Sequence, residues 1–246
     1  MIYTKYDASG NDFVIFHTNE EKDYSSLAIK LCSKEYFDTD GLIVIVPHDS
    51  LDFKWLFYNN DGSIASMCGN GTRAVAHYAF TNKLVDQDCT FLTGAGQISC
   101  EVRDNIVQTQ MTKPIIIKEP FKQDGYDCFV VDTGVPHVVI MVDDLDIFNL
   151  DICAKFRKQY NANVNFANVK DNKLYVRTFE RGVENETLAC GTGMVACFIR
   201  ALDLELITSN IEVFPKSGEL INIKKENQNL YFKGAVKQIK QKELNI

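Results

Sequence analysis

The chain has 246 residues, enough for one large domain or two of modest size, with 46% hydrophobic and 24% charged residues. A formal net charge of -7 at pH 7, without any basic run, argues against nucleic acid or an anionic membrane as the main partner. The opening Met1-Ile2-Tyr3-Thr4-Lys5 lacks the apolar core of a signal peptide, and no apolar run approaches the ~18 residues of a membrane span.

In chain order, Lys5 to Phe13 reads as a strand broken by a polar glycine turn, Ser9-Gly10-Asn11-Asp12, and resumed by Val14-Ile15-Phe16. Asn11-Asp12 can close that turn by bonding its own backbone. Ser25 or Ser26 is placed to cap a helix carrying Leu27, Ile29 and Leu31. Leu42 to Val46 is a buried strand stopped by Pro47, and Asp52 to Tyr58 is another that runs into Asn59-Asn60-Asp61-Gly62-Ser63. Cys68-Gly69-Asn70-Gly71-Thr72-Arg73 follows and opens an apolar helical run. Strand-like pieces come next at Thr90–Leu92, Gln97–Val102, Ile106–Met111 and Ile115–Lys118.

Beyond Pro120 the order repeats. A strand at Phe129–Val131 meets the polar glycine turn Asp132 to His137 and resumes as Val138–Val142. A helix over Leu150–Tyr160 and strands near Phe166–Val169 and Leu174–Phe179 lead to Cys190-Gly191-Thr192-Gly193-Met194 and a second apolar helix. Strands at Ile211–Phe214, Glu219–Lys224 and Leu230–Phe232 complete this half. The two cysteines lie 122 residues apart and the two glycine turns 125 apart, as internal duplication would leave them. The expected fold is α+β: two pseudo-symmetric halves, 1–115 and 116–234, each a curved, mostly antiparallel sheet wrapped around a central buried helix. Both helix N-termini would face a common cleft.

The eight cysteines are dispersed, without a CxxC pair or clustered histidines, so neither a structural zinc site nor a disulfide scaffold is expected. A reduced, cytoplasmic protein fits, with most cysteines acting as small buried hydrophobes. Cys68 and Cys190 stand apart, because each precedes an apolar helix, where free N–H groups and the helix dipole favour a thiolate. A pair so placed can form a disulfide, bind a soft metal, or serve a substrate carbon as base and acid. Two ligands without a histidine make a poor metal site, and a disulfide conflicts with the compartment. Acid–base chemistry also uses the helix N-termini, whose N–H donors suit the carboxylate of an α-amino acid and the charge that builds on it during α-proton abstraction. A cysteine hydrolase or redox protein is the more distant reading, and it leaves the second capping cysteine unexplained.

Over nearly its whole length the chain resembles the diaminopimelate epimerase family. The resemblance rests on Gly10-Asn11-Asp12-Phe13, Asn59 with Asp61-Gly62-Ser63, Cys68 to Arg73, Pro136-His137, Asn163, Glu180-Arg181-Gly182, and Glu186-Thr187 with Ala189 to Gly193. It implies a cofactor-independent, metal-free epimerase that interconverts LL- and meso-diaminopimelate in lysine and peptidoglycan-precursor biosynthesis. Cys68 and Cys190 would be the acid–base pair, and Gly69, Asn70, Gly191 and Thr192 would hold the reacting carboxylate. Asn11, Asn59, Asn163, Glu180 and Arg181 would bind the amino groups and the distal carboxylate, with His137 and Glu180 tuning the cysteines. The partner would be a small amino acid, the candidate assembly a homodimer, and residues from about 235 to 246 would return to the first half. A racemase of proline, hydroxyproline or histidine on the same scaffold is the nearer alternative; such substrates lack the second head group that Arg181 and the asparagines suit. The chain departs from the common family pattern at Asp7-Ala8-Ser9, at Tyr36 to Asp40 and at Val135. His77 is read as a satisfied core group, and Arg73 as a local cap outside the site.

Overall fold

The structure, a computed structural model, describes residues 1–245. Two compact units divide the chain: Met1–Gln110 together with the stretch from Gly234 onward, and Met111–Lys233.

In the first unit β1 (Ile2–Ala8) and β2 (Asn11–His17) form an antiparallel hairpin about Ser9 and Gly10, both at positive φ. β2 pairs in parallel with β3 (Gly41–Val46), and α1 (Ser25–Cys32) lies in the crossover. β3 is antiparallel to β4 (Phe53–Asn59), which is parallel to β5 (Asp88–Thr93) with α2 (Gly69–Thr81) in that crossover. β6 (Gly96–Arg103) and β7 (Ile106–Gln110) extend the sheet as an antiparallel meander.

The second unit repeats this order. β8 (Ile115–Gln123) and β9 (Tyr126–Asp132) are antiparallel, and β9 continues antiparallel to β10 (Pro136–Met141). β10 runs parallel to β11 (Asn163–Lys170) across α3 (Leu150–Tyr160). β12 (Lys173–Glu180) is antiparallel to β11 and to the short β13 (Asn185–Thr187). It is parallel to β14 (Asn210–Pro215), with α4 (Gly191–Asp203) in the crossover. β15 (Ile221–Glu226) and β16 (Asn229–Ala235) close the meander. The chain then re-enters the first unit, where β17 (Lys237–Glu243) pairs antiparallel with β1, as β8 does with β9. Each unit is thus a mostly antiparallel α+β layer structure with two parallel pairs.

The sequence pattern explains the layers. β3 reads Gly-Leu-Ile-Val-Ile-Val with every residue buried, as a strand covered on both faces must. Leu42, Val44 and Val46 join Val14 and Phe16 under Ala28, Leu31 and Cys32 of α1. The alternate residue Ile43 turns the other way, toward the first turn of α2 at Gly71. α2 and α4 are buried nearly all round, ten and nine of their thirteen residues respectively, so each is the inner helix of its unit. In the second unit Val130, Val138, Ile140, Val164 and Phe166 pack with Cys153 and Phe156 of α3.

Three expectations need correction. Tyr24, not Ser25 or Ser26, is the N-cap of α1, and the Asp23 carboxylate accepts from Ser25 N. The buried stripe is Ala28, Leu31 and Cys32, whose spacing puts them on one face; Ile29, off that face, is 53% exposed. β8 runs on through Pro120 to Gln123, because the strand breaks register between Lys118 and Phe121, where a proline's missing donor is tolerated.

The cysteines outside the two motifs behave as buried hydrophobes. Cys32, Cys89, Cys100, Cys128, Cys153 and Cys197 are all buried. Burial pushes the thiols of Cys32 and Cys128 up to about 11 and those of Cys89 and Cys153 up to about 12. It raises Cys100 and Cys197 as well.

The two faces of α1 make a matched test. Leu31→Ala empties a fully buried site and is expected to cost about 2–5 kcal/mol in urea unfolding. Ile29→Ala, on the exposed face, is expected to stay within about 0.5 kcal/mol. Similar losses for both would mean that Ile29 is core.

Candidate active site

In the first unit Cys68 is the N-cap of α2, with extended backbone (φ -150°, ψ 118°). Its sulfur accepts from Gly71 N at 3.4 Å and donates to Asn11 Oδ1 at 3.5 Å. Gly69 and Asn70 open the helix, and Asn70 Oδ1 accepts from Arg73 Nη2 at 2.9 Å. The same guanidinium, fully buried, donates to Ser9 Oγ at 2.5 Å and to Ala235 O at 2.8 Å. Arg73 therefore ties the first turn of α2 to the β1–β2 turn and to the returning C-terminal segment. The expectation of a local cap is corrected, since two of its acceptors are distant in sequence; the signal is a charged residue inside an apolar helical run.

Asp40 is a second residue that the sequence did not single out. Its Oδ2 accepts from Asn11 Nδ2 at 2.6 Å and from Asp12 N at 2.9 Å. Asp40 N donates to Asp12 O, and Asn60 N donates to Asp40 O. The loops at 9–12, 38–40 and 59–63 are thereby joined at one end of β2, β3 and β4. Asn59 sits there opposite Gly41, and its Nδ2 donates to Ser63 Oγ at 2.9 Å. Ser63 in turn donates its hydroxyl and its N–H to Asp61, holding that carboxyl below its ordinary value. A recess of about 570 Å³ lined by Gly10, Asp12, Asp40 and Asn60 adjoins these loops on the α1 side, and Cys68 does not line it.

In the second unit Cys190 is the N-cap of α4, again with extended backbone (φ -130°, ψ 109°). Its sulfur lies 3.5 Å from Thr192 Oγ1, and that hydroxyl lies 2.9 Å from His137 Nε2. His137 is completely buried. Burial drives its pKa down to about 3, with the Arg181 charge acting in the same direction, so the ring is neutral at physiological pH. Asn163 Oδ1 accepts from Arg181 N at 2.8 Å, and Arg181 Nη1 donates to Asn161 O at 3.0 Å. Glu180 ends β12, and beyond it Glu186 receives a bidentate pair from Arg177 at 2.6 and 3.0 Å and a bond from Lys216 at 2.5 Å. That three-way ion pair pins β13 and the turn carrying Arg181 and Gly182.

The expected residues divide between the units: Asn11, Asn59, Cys68, Gly69 and Asn70 in the first, His137, Asn163, Glu180, Arg181, Cys190, Gly191 and Thr192 in the second. Asn11 is bonded to the Cys68 sulfur, and Thr192, backed by His137, stands beside that of Cys190. His77 behaves as expected of a core group, its Nδ1 within 3.2 Å of Tyr6 Oη and its pKa lowered by burial. Among the described residues no three His, Cys, Asp or Glu side chains are placed to hold a metal ion, and no helix is long and apolar enough to cross a membrane.

This architecture, two units of repeated order each with an inner helix, is that of the PhzF and proline-racemase type of fold. A phenazine biosynthesis protein of the PhzF family from Enterococcus faecalis superposes with a TM-score of 0.79 at 14% identity, covering 100% of this chain and 99% of that one. A probable proline racemase from Agrobacterium radiobacter superposes with a TM-score of 0.77 at 10% identity, covering 100% and 93%. Within that fold, the chain belongs to the diaminopimelate epimerase family, whose model matches residues 3–117 and 129–239. Diaminopimelate epimerases from a Nitratiruptor species and from Campylobacter lari are 49% and 51% identical to it, each covering at least 96% of both chains. One from Helicobacter pylori is 37% identical over 259 aligned residues, covering 97% of this chain and 94% of its own. The chain is therefore an isomerase by family.

The buried neutral histidine makes a pH test. The folded pKa lies below the ordinary value of 6.5, so the unfolded chain binds a proton that the native state refuses; stability is full above pH 6.5 and falls as pH drops toward 3. His137→Gln is expected to flatten this part of the stability–pH curve by up to about 1.4 kcal/mol per pH unit, measured by urea unfolding at pH 7 and pH 4.5. Identical slopes for variant and wild type would place the protonated ring within the fold.

Proposed function

We propose that this protein interconverts LL- and meso-diaminopimelate, with Cys68 and Cys190 as the acid–base pair at one α-carbon. The observation that carries the reading is that each unit begins its inner helix with a cysteine at the N-cap. There the N–H groups of Gly69, Asn70, Gly191 and Thr192 suit a carboxylate, and the dipole favours a thiolate. One sulfur, as thiolate, takes the α-proton and becomes a thiol. The electron pair left on carbon delocalises into the carboxylate, whose growing charge the N–H donors stabilise. The other sulfur, as thiol, gives its proton to the opposite face and becomes the thiolate. Atoms and charge balance without a metal or a carbonyl cofactor.

The substrate reading is supported by the names of the relatives and by the polar residues beyond the reacting carbon. Asn11, Asn59, Asn163, Glu180 and Arg181 suit a second amino-acid head group, which proline, hydroxyproline and histidine lack. Pathway placement in lysine and peptidoglycan-precursor synthesis follows from that substrate.

Purified protein without added metal or pyridoxal phosphate is expected to convert LL-diaminopimelate to the meso form, resolved as stereoisomers by chromatography. Turnover of proline or histidine instead would refute the substrate. Replacing either Cys68 or Cys190 with Ala is expected to lower turnover by at least about 10²-fold, each removing one proton carrier. In D₂O, early product is expected to carry deuterium at the inverted carbon while recovered substrate does not. Early product that keeps its original hydrogen would point to a single base.

A further inference from the structure

Three polar side chains are buried in the second unit where the first has apolar ones. Strand register sets the counterparts. His137 lies opposite Asn163 across β10 and β11 as Phe13 lies opposite Gly41 across β2 and β3. Asn165 lies opposite Thr178 across β11 and β12 as Ile43 lies opposite Phe57 across β3 and β4. All of these six are buried: His137, Asn165 and Thr178 on one side, Phe13, Ile43 and Phe57 on the other. In the first unit they are plain core, the Phe13 and Phe57 rings meeting edge to face at 5.9 Å. The frame therefore folds with apolar residues at these positions. A buried polar group costs free energy unless its hydrogen bonds are made, so filling the same places with His, Asn and Thr calls for a reason other than packing.

The bonds have a direction. Val138 O can only accept, so the Asn165 atom 3.0 Å from it is the amide nitrogen. Thr178 Oγ1 donates to the amide oxygen at 2.9 Å, which agrees with that orientation. The same nitrogen lies 3.0 Å from His137 Nδ1. An amide nitrogen donates and does not accept, so Nδ1 is bare and the neutral ring carries its proton on Nε2. Nε2–H then donates to Thr192 Oγ1 at 2.9 Å, leaving the hydroxyl's own proton for Cys190 Sγ at 3.5 Å. A donor to sulfur favours the thiolate.

We propose that Asn165 is a positioning residue that fixes the tautomer of His137 and so directs the Thr192 hydroxyl proton onto Cys190. The proposal rests on Cys190 being one of the acid–base groups. Gly193 agrees with it: a Cβ there would stand 2.3 Å from Asn165 Oδ1, whereas one at its counterpart Gly71 would meet its neighbours at 3.4 Å. The second glycine of the Cys190 motif makes room for this amide.

The tautomer can be read directly from the ¹⁵N shifts of His137, assigned among the four histidines by comparison with His137→Gln. In the wild type at pH 8, Nε2 is expected to be protonated and Nδ1 bare; a protonated Nδ1 overturns the proposal. In Asn165→Asp a carboxylate that only accepts draws the proton to Nδ1, and Nε2 then takes the Thr192 hydroxyl proton away from sulfur. Alkylation of Cys190 by iodoacetamide at pH 8 is expected to slow about ten-fold, the worth of one hydrogen bond to a charged group, while Cys68 keeps its rate. Thr192→Val is expected to slow Cys190 equally, and the double variant no further. An unchanged Cys190 rate in Asn165→Asp, or losses that add in the double variant, would refute the route through Thr192. The wild-type spectrum decides the tautomer even if a variant folds poorly. Neither readout involves turnover, so a failure of the hydrogen-bond route and a failure of the epimerase assay are told apart.

Discussion

The structure depends on burying two helices whole. A helix whose first turn lies inside protein leaves N–H groups that water cannot satisfy, and those groups must find acceptors. α2 and α4 both begin with a cysteine and small residues, Cys68-Gly-Asn-Gly and Cys190-Gly-Thr-Gly, and in α2 the Cys68 sulfur itself accepts from Gly71 N. Small side chains let other groups approach the bare backbone, and the partial positive charge there does not depend on pH. The strands, the outer helices α1 and α3, and the loops joined through Asp40 hold those two ends open to chemistry.

The two thiols do not share one environment. Cys68 takes a backbone donor from Gly71 and faces the Asn11 amide, which is in turn held by the Asp40 carboxylate. Cys190 faces a hydroxyl backed by a neutral, fully buried imidazole. A backbone N–H can only donate and an amide oxygen only accept, whereas a hydroxyl does both, so the group behind it decides where its proton goes. The two units share one order of elements, and the differences at Phe13 against His137 and Ile43 against Asn165 make them chemically distinct.

Much of this was legible in the residues. The paired Cys-Gly motifs, the apolar runs behind them and the repeated order of strands marked both inner helices, and α3 was read at its observed ends, Leu150 and Tyr160. What escaped notice was set by tertiary partners. β17 reads Lys-Gln-Ile-Lys-Gln-Lys-Glu, almost wholly exposed, and only its pairing with β1 makes it a strand. Arg73 passed for a cap because its acceptors, Ser9 and Ala235, are 64 and 162 residues away. Asn165 sits between Val164 and Phe166 in a strand that carries three asparagines, Asn163, Asn165 and Asn168, and nothing local marks it as the buried one beside a histidine. Aligning the two halves residue by residue would have shown an asparagine where its copy has isoleucine.

The return of the chain to the first unit has a consequence for biosynthesis. Residues 111–233 are one continuous stretch, while the first 110 lack the strand that pairs with the outer side of β1 until Lys237–Glu243 are made. Arg73 likewise waits for Ala235. Domains generally fold as units, and N-terminal ones usually do so first as the chain emerges. Here the order is inverted: the residues of the inserted unit are all made before β17, and the N-terminal unit lacks the strand beside β1 until Lys237–Glu243 have left the exit tunnel.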